Sequence, residues 1–523
     1  MEITKRSILL LAFLEGGLVM LLELSVPHAL APIIGNSIDT WSKLILLSVG
    51  GLAIGYFIGS QLSRKLKLKA ILFTLLYSSL ILGMLSFLSY YFLNINGIFL
   101  NEVFSAYLLA IISLFLPSIL LSSTTPILIK LFSQYTISPG YIFSISTFGG
   151  VLFTFITGFI ILPDFGIMRS FELFLILNFF MVLLCGWTIS KLKRNLISFT
   201  LLVGIIILFI PLERTANEKY SILEMREGLD GQLLVLDESI NENVIQRTLF
   251  INRMGQTMIR ITNGNSISSV WSYAGIIKSL ASYHEKSPSK ALVLGLGGGI
   301  VPLFLSDKNE LNYSIDAVEL NKNIIEISQN HFYLPADVTV FEEDARRFLN
   351  ANNTKYDFIV MDVFNGEITP SHVLSVEAFE KVKKSLSKRG FVVINFNGNI
   401  TGELGIGGRS LYKTLIKSGF KVSILPSFEV GERNRNNLFI ASLFPIDLSK
   451  INIPMTKNNV NSTYNVVENS LDLKKINFND AFIITDDFPV MEKLNQAAAK
   501  QWRDDYLKYS TIKYRSMGIP LFK

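Results

Sequence analysis

Apolar residues are distributed very unevenly along this chain. Up to residue 211 they come in long unbroken stretches, at about 8–27, 44–62, 70–93, 103–122, 141–162, 171–190 and 196–211. Set against the roughly 20 residues a helix needs to cross a bilayer, the pattern predicts seven spans, the last one short. Beyond residue 212 the period changes. Short apolar runs alternate with amphipathic segments, the signature of strands followed by helices. Three regions are therefore expected: an all-α polytopic membrane domain at 1–212, a small β-region with a connecting helix at 213–288, and an α/β Rossmann-like domain at 289–523.

Charge refines the picture of the first region. The first span is expected to stay in place rather than be cleaved as a signal peptide, because no small-residue cleavage site follows it and further spans do. Lys5 and Arg6, the "RKLKLK" at 64–69 and the "KLKR" at 191–194 all belong on the cytoplasmic side by the positive-inside rule. Seven crossings would then put the C-terminal half outside, which conflicts with a cytoplasmic nucleotide-using domain. The stretch 123–136 is a candidate extra dip and 196–211 a candidate interfacial helix, and either would restore the parity. Glu15, Glu23 and His28 lie in or near the first span. Ionisable groups at that depth mark a pore or proton relay, or else cap and pair within the bundle.

Residues 1–212 carry 12 Lys+Arg against 7 Asp+Glu, whereas the remainder is nearly balanced at 36 against 35. The basic excess thus sits with the lipid bilayer, and a nucleic-acid partner has little support. One cysteine, Cys185, and four histidines without paired spacing exclude a disulfide framework and argue against a metal site.

Candidate chemistry begins at "KALVLGLGGGIVPLFLS". A strand runs into Gly295, Gly297, Gly298 and Gly299 and then into a helix, a turn in which the backbone can approach a nucleotide closely. The next strand, "YSIDAVEL", ends at Glu319, placed to accept hydrogen bonds from ribose hydroxyls. "VTVFEEDARRFL" puts Asp344 at a third strand end, where an adenine amino group would be met, and "YDFIVMDVF" puts Asp362 at a fourth; "FVVINFNG" supplies a fifth strand. Each acid singly is also a plausible helix N-cap. Three at successive carboxyl ends of strands point instead to a ligand crevice.

In that order, "GLGGG", "AVELN", "EEDARRFL", "YDFIVMDVF" and "ITPSHVLSVEAFE" resemble the spermidine synthase family. The chain resembles most closely the bacterial multi-pass membrane proteins that carry a spermidine synthase-like, polyamine aminopropyltransferase-family domain at the C-terminus. "LDGQLLVLDES", with Gln232, and "RTLFINRMGQTMIR" are similar to the small β-region of such enzymes. "VWSYAGIIKSLA" resembles their tyrosine-bearing helix, with Tyr273. "ITDDFPVME", "AFLEGGLVMLLEL" and "GGLAIGYFIGSQLSRKL" resemble further stretches of the fused membrane proteins. The resemblance implies a class I S-adenosylmethionine-type fold, with decarboxylated S-adenosylmethionine or S-adenosylmethionine as co-substrate and no metal. Gly295, Gly297, Gly299, Glu319, Asp344 and Asp362 would hold the nucleoside. A putrescine-like or other small amine would be the acceptor, with Gln232, Tyr273, His372, Asp486 and Asp487 around it. Soluble relatives are often dimers, so a homodimer is implied as well. The expected setting is the cell membrane, with the soluble domain cytoplasmic.

The sequence also departs from that pattern. Gly298 stands where soluble relatives have an Asp that binds the donor's amino group. Ala274 and Gly275 replace their Gln and Glu after the helix tyrosine, and Asn365 replaces their catalytic Asp. An amide is no base at neutral pH. The expected catalytic set is therefore Glu367, Asp362 and Tyr273, although Glu367 could equally cap the next helix while His372 packs under the loop. Asp486, Asp487 and Glu492 are candidates for the missing amine contacts, or merely form a turn and a cap. Two other functions fit the same residues: methyl transfer from intact S-adenosylmethionine, and a transporter or sensor in which the soluble half only binds.

Overall fold

The computed structural model describes residues 4–96, 102–133, 138–186, 195, 217–228, 231–263, 266–284, 289–308, 310–311, 313–363, 369–427, 436–457 and 460–519. It divides into two compact units, Met1–Leu234 with Ser510–Lys523, and Val235–Tyr509.

Among its described residues the first unit contains six helices long and apolar enough to cross a membrane: Lys5–Ile34, Ile38–Leu62, Leu68–Leu93, Val103–Phe132, Pro139–Phe165 and Ile167–Cys185. They fall on the first six apolar stretches of the sequence. The seventh, 196–211, lies outside the described residues. The candidate dip at 123–136 continues the fourth helix as far as Phe132. The first helix is well enclosed, with Leu11, Leu18, Leu21 and Val26 fully buried. It crosses the fifth at Gly16 and Gly149, where a Cβ would lie 2.0 Å from the facing backbone oxygen of Ser146 or Phe13. Small residues at such crossings let helices pack closely where lipid offers no hydrophobic drive. Beyond the helices, this unit includes strand β1 (Tyr220–Arg226).

The second unit opens with antiparallel strands β2 (Leu233–Asn241), β3 (Val244–Ile251), β4 (Met254–Thr262) and β5 (Ser266–Ser269). Asn252 and Arg253 form the two-residue β3–β4 hairpin at φ +49° and +67°, the positive-φ pair that matches strand twist. The chain then builds β6 (Ser289–Leu294), β7 (Tyr313–Glu319), β8 (Thr339–Glu342), β9 (Tyr356–Met361), β10 (Leu386–Asn397), β11 (Lys421–Pro426) and β12 (Asn436–Ser442). These form one sheet in the order β11-β12-β10-β9-β6-β7-β8. β6 to β10 run parallel, and β12 is antiparallel to both β10 and β11.

Near-continuous apolar runs explain the parallel strands. Leu292 and Leu294 of β6, Ile359 and Met361 of β9, and Val392 and Ile394 of β10 are all buried in one core with Phe379, Leu411 and Phe439. Strands covered on both faces need such runs. From β6 the chain first builds outward through β7 and β8, then returns to lay β9 on the other side. That reversal between β6 and β9 opens a crevice at the carboxyl ends of the strands, the usual ligand position in open α/β sheets.

Candidate active site

Three strand ends and one helix supply the side chains at this crevice. At β6 the backbone turns through Gly295 at φ +86°. A Cβ there would sit 2.1 Å from the carbonyl oxygen of Asp362, so only glycine lets the loop lie against the end of β9. Gly297 and Gly299 also take positive φ, +53° and +75°.

The loop is fastened to its neighbours by polar contacts. Glu319, at the end of β7, accepts the Leu296 N–H at 3.0 Å through one oxygen and the Asn321 N–H at 2.9 Å through the other. Burial raises its pKa above the ordinary glutamate value, against the pull of backbone donors at Asn321, Leu296, Leu320 and Gly297. A carboxylate offers about four lone-pair directions, and these backbone donors engage both oxygens, which fixes the carboxylate against the glycine turn. On the other side, the Gly298 N–H donates to the Thr257 hydroxyl of β4 at 2.9 Å, in a buried bond. A Cβ on residue 298 would meet the Thr257 methyl at 2.7 Å. The threonine thus occupies the space an acidic side chain at 298 would need. Nothing in the local sequence around residue 298 points to it, because the partner lies 41 residues upstream.

Asp344 caps the helix Ala345–Ala351, accepting the Arg347 N–H at 2.9 Å, and pairs with His372 Nε2 at 3.0 Å. Desolvation pushes its carboxyl up, but the Arg347 N–H and His372 together outweigh it and leave the pKa below the ordinary value. The N-cap role and a strand-end binding role are compatible here, since the second oxygen faces His372 rather than the helix.

Asp362 differs in kind. The residue is only half-buried, yet desolvation of the carboxyl pushes its pKa up to about 6 despite hydrogen bonds from Asn395 and Tyr273. Asn395 donates its amide to Asp362 Oδ1 at 2.9 Å. The amide's own oxygen is buried and has no hydrogen-bond partner, an acceptor available to a donor that enters the crevice. Tyr273 lies one residue into the helix Ser272–Ala281, and its ring stacks on Trp271 at 6.5 Å. Asn395 was not among the sequence candidates. The signal was present, as a polar residue inside β10 between the fully buried Ile394 and Phe396.

The remaining candidates are placed as follows. Glu367 and Asn365 lie outside the described residues. Gln232 is buried in the first unit, where its amide donates to Glu227 at 3.3 Å. Asp486 accepts from Arg346 at 2.7 Å and from the Ser375 hydroxyl at 2.6 Å, and Ser375 in turn caps the helix Val376–Ser385. The "TDDFP" stretch is therefore clasped to two helices of the sheet. Asp487 is exposed beside it, and Glu492 opens the helix Met491–Met517. The structure brings Asp362, Tyr273 and Asn395 together, and separately Glu319 with the glycine turn and Asp344 with His372.

Comparison with known proteins finds relatives for this part of the chain. Residues 271–403 match the model of the spermine/spermidine synthase domain. The polyamine aminopropyltransferase of Vibrio vulnificus is 36% identical over 113 residues, covering 21% of this chain and 38% of that one. The N-terminal histidine N-methyltransferase of Emericella nidulans is 34% identical over 229 residues, covering 40% of this chain and 38% of the relative. The chain thus spans less than two fifths of the length of these curated relatives. Among solved structures, a probable spermidine synthase from Corynebacterium glutamicum aligns with 21% identity and a TM-score of 0.37, over 44% of this chain and 83% of that one. The chain carries a spermine/spermidine synthase domain at 271–403 behind six apolar helices.

Proposed function

We propose that the C-terminal unit transfers an alkyl group from a sulfonium nucleoside to an amine, with aminopropyl transfer from decarboxylated S-adenosylmethionine to a polyamine-like acceptor as the leading case. The observation that carries this reading is the half-buried Asp362 carboxyl held by Tyr273 and Asn395 beside the glycine turn, with its pKa raised to about 6. An acceptor amine arrives protonated and must lose a proton before it can attack. Entry into an enclosed site lowers the amine's pKa, and Asp362 is placed to take the proton. The amine lone pair then attacks the carbon next to sulfur. A C–N bond forms as the C–S bond breaks, the electron pair stays on sulfur, and the sulfonium charge is neutralised. Positioning supplies much of the acceleration in such an in-line displacement. Glu319 and the glycine turn would hold the nucleoside, Asp344 with His372 its base, and the Asn395 carbonyl would accept an N–H of the amine. Glu367 is proposed as a second proton acceptor.

Methyl transfer is the second reading. It is favoured by Thr257, which fills the space where an acid for the donor's amino group would stand. We also place the protein in the cell membrane as a multi-pass protein with its soluble unit cytoplasmic. The six spans among the described residues would return the chain to the side of Lys5 and Arg6, and the basic stretches at 64–69 and 191–194 agree in sign.

The test uses full-length protein in detergent with putrescine or spermidine and either donor, the nucleoside product being identified by mass spectrometry. Methylthioadenosine formed only from the decarboxylated donor, and lost in Asp362→Asn, supports aminopropyl transfer. S-adenosylhomocysteine selects methyl transfer. Neither product from either donor overturns the transferase reading for these amines.

A further inference from the structure

The transferase reading gives no part to the "TDDFPVME" stretch, residues 485–492. Its leading acid is already engaged. Asp486 Oδ2 accepts from Arg346 Nη2 at 2.7 Å and Oδ1 accepts from the Ser375 hydroxyl at 2.6 Å. The Asp486 N–H donates to Glu377 at 2.9 Å. Both carboxylate oxygens are thus met from within the protein, one of them by a guanidinium whose side chain is only 15% exposed.

Arg346 does more than pair with this acid. Through Nη1 it also donates to the His372 carbonyl oxygen and to the Ser375 hydroxyl, each at 3.2 Å. Ser375 accepts the Ala378 N–H at 3.1 Å as well, so its one donor and two lone pairs are all in use. Arg346 stands two residues after Asp344, the N-cap of the helix Ala345–Ala351, and Asp344 Oδ2 lies 3.0 Å from His372 Nε2. One turn of chain therefore holds His372 twice, by its main chain and by its ring.

The contacts continue on both sides of Asp486. The Ile484 carbonyl accepts the Val376 N–H at 2.9 Å, and the Pro489 carbonyl accepts the Ser371 hydroxyl at 3.1 Å. The Asn495 amide donates to the Thr369 hydroxyl at 2.9 Å. Residue numbers fall on one side as they rise on the other, so 484–495 runs antiparallel along 369–376. This strap fixes the backbone that carries His372. Arg346 and Asp486 are where it meets the turn that carries Asp344.

We propose that Arg346 and Asp486 are positioning residues for the donor nucleoside: they seat His372 against Asp344, so that the pair keeps the shape in which it meets the base. This rests on the reading of Asp344 and His372 as the pair that holds the base. Lysine at 346 would keep the charge but lack the planar fork that reaches Asp486, His372 and Ser375 together.

The experiment measures binding of methylthioadenosine, and of methylthioinosine, which lacks the exocyclic amino group, to full-length protein in detergent by calorimetry. The parent should prefer the adenine nucleoside by about tenfold or more, the worth of one charge-assisted hydrogen bond, and Asp344→Asn should cut the preference to about twofold or less. Arg346→Lys and Asp486→Asn should each reduce the preference about three- to tenfold at unchanged stoichiometry. A purely structural role would lower the stoichiometry, as folded protein is lost, and leave the preference intact. That result in both variants, or no change at all in either while Asp344→Asn behaves as expected, overturns the proposal and leaves the base-holding pair standing. An unchanged preference in Asp344→Asn, or no binding of methylthioadenosine by the parent, overturns the base-holding reading and the proposal with it.

Discussion

The acids along the carboxyl edge of the sheet fall into two groups that are held in different ways. On the β7–β8 side, Glu319 and Asp344 are gripped mainly by backbone N–H groups. On the β9–β10 side, Asp362 is gripped by two side chains, Tyr273 and Asn395. Backbone donors are fixed by the fold and cannot change protonation, so the first group is suited to recognising a ligand of constant shape. Side-chain donors can reorient, and desolvation outweighs them to hold the Asp362 pKa at about 6. The same residue type thus serves recognition on one side and proton handling on the other, and the environment decides which.

The sharpest way to break this division is Asp362→Asn. It should lower kcat by about 10²- to 10⁴-fold, the usual share of a positioned base, while donor binding by calorimetry stays within a few-fold. A large loss of donor affinity instead would move Asp362 into the recognition group. Glu319→Gln should do the reverse. Losing charge-assisted bonds to the glycine turn and to ribose, worth about 1.5–3 kcal/mol each, should weaken donor binding roughly ten- to a hundredfold with a smaller change in kcat.

Two smaller effects refine the picture. Gly298→Ala should destabilise the soluble unit by about 1–3 kcal/mol through overpacking against Thr257, seen as a lower Tm, and Thr257→Ser should relieve part of that loss. Finally, kcat/KM should rise through an apparent pKa near 6 as Asp362 ionises. In Tyr273→Phe the limb should move to higher pH by about one unit, because the lost hydrogen bond favoured the ionised form. Stability carries the opposite sign. Asp362 is raised in the folded state, so ionising it costs stability as pH climbs from the ordinary aspartate value of 3.8 towards 6. Thermal melts of Asp362→Asn against the parent should show a gap that opens across that window and is constant above it.

Much of this arrangement was legible in the sequence, for a definable reason. The β6 strand, the glycine turn and Glu319 all fall within residues 289–319, and local periodicity with glycine placement reports such units. The six described spans were legible because length and hydropathy alone specify them. Asn395, Thr257 and the clasp at Asp486 were not, since each takes its meaning from a partner many residues away. Asp486 reads as a turn acid until Arg346, 140 residues earlier, is seen to hold it. Asn395 stands out in the sequence only as a polar residue among the apolar ones of β10, and its role takes Asp362 beside it to see.

The sheet order has a consequence for how this chain is made. β12 lies between β10 and β11 and pairs with both, yet it is translated after either. Until residues 436–442 leave the ribosome, β10 and β11 each present an unpaired edge. The gap can be filled only by a strand entering from the C-terminal side, a non-local step that slows closure. Synthesis stalled between residues 426 and 436 would therefore release a nascent chain with two open edges next to the proposed active site, the form most exposed to aggregation and to chaperone capture.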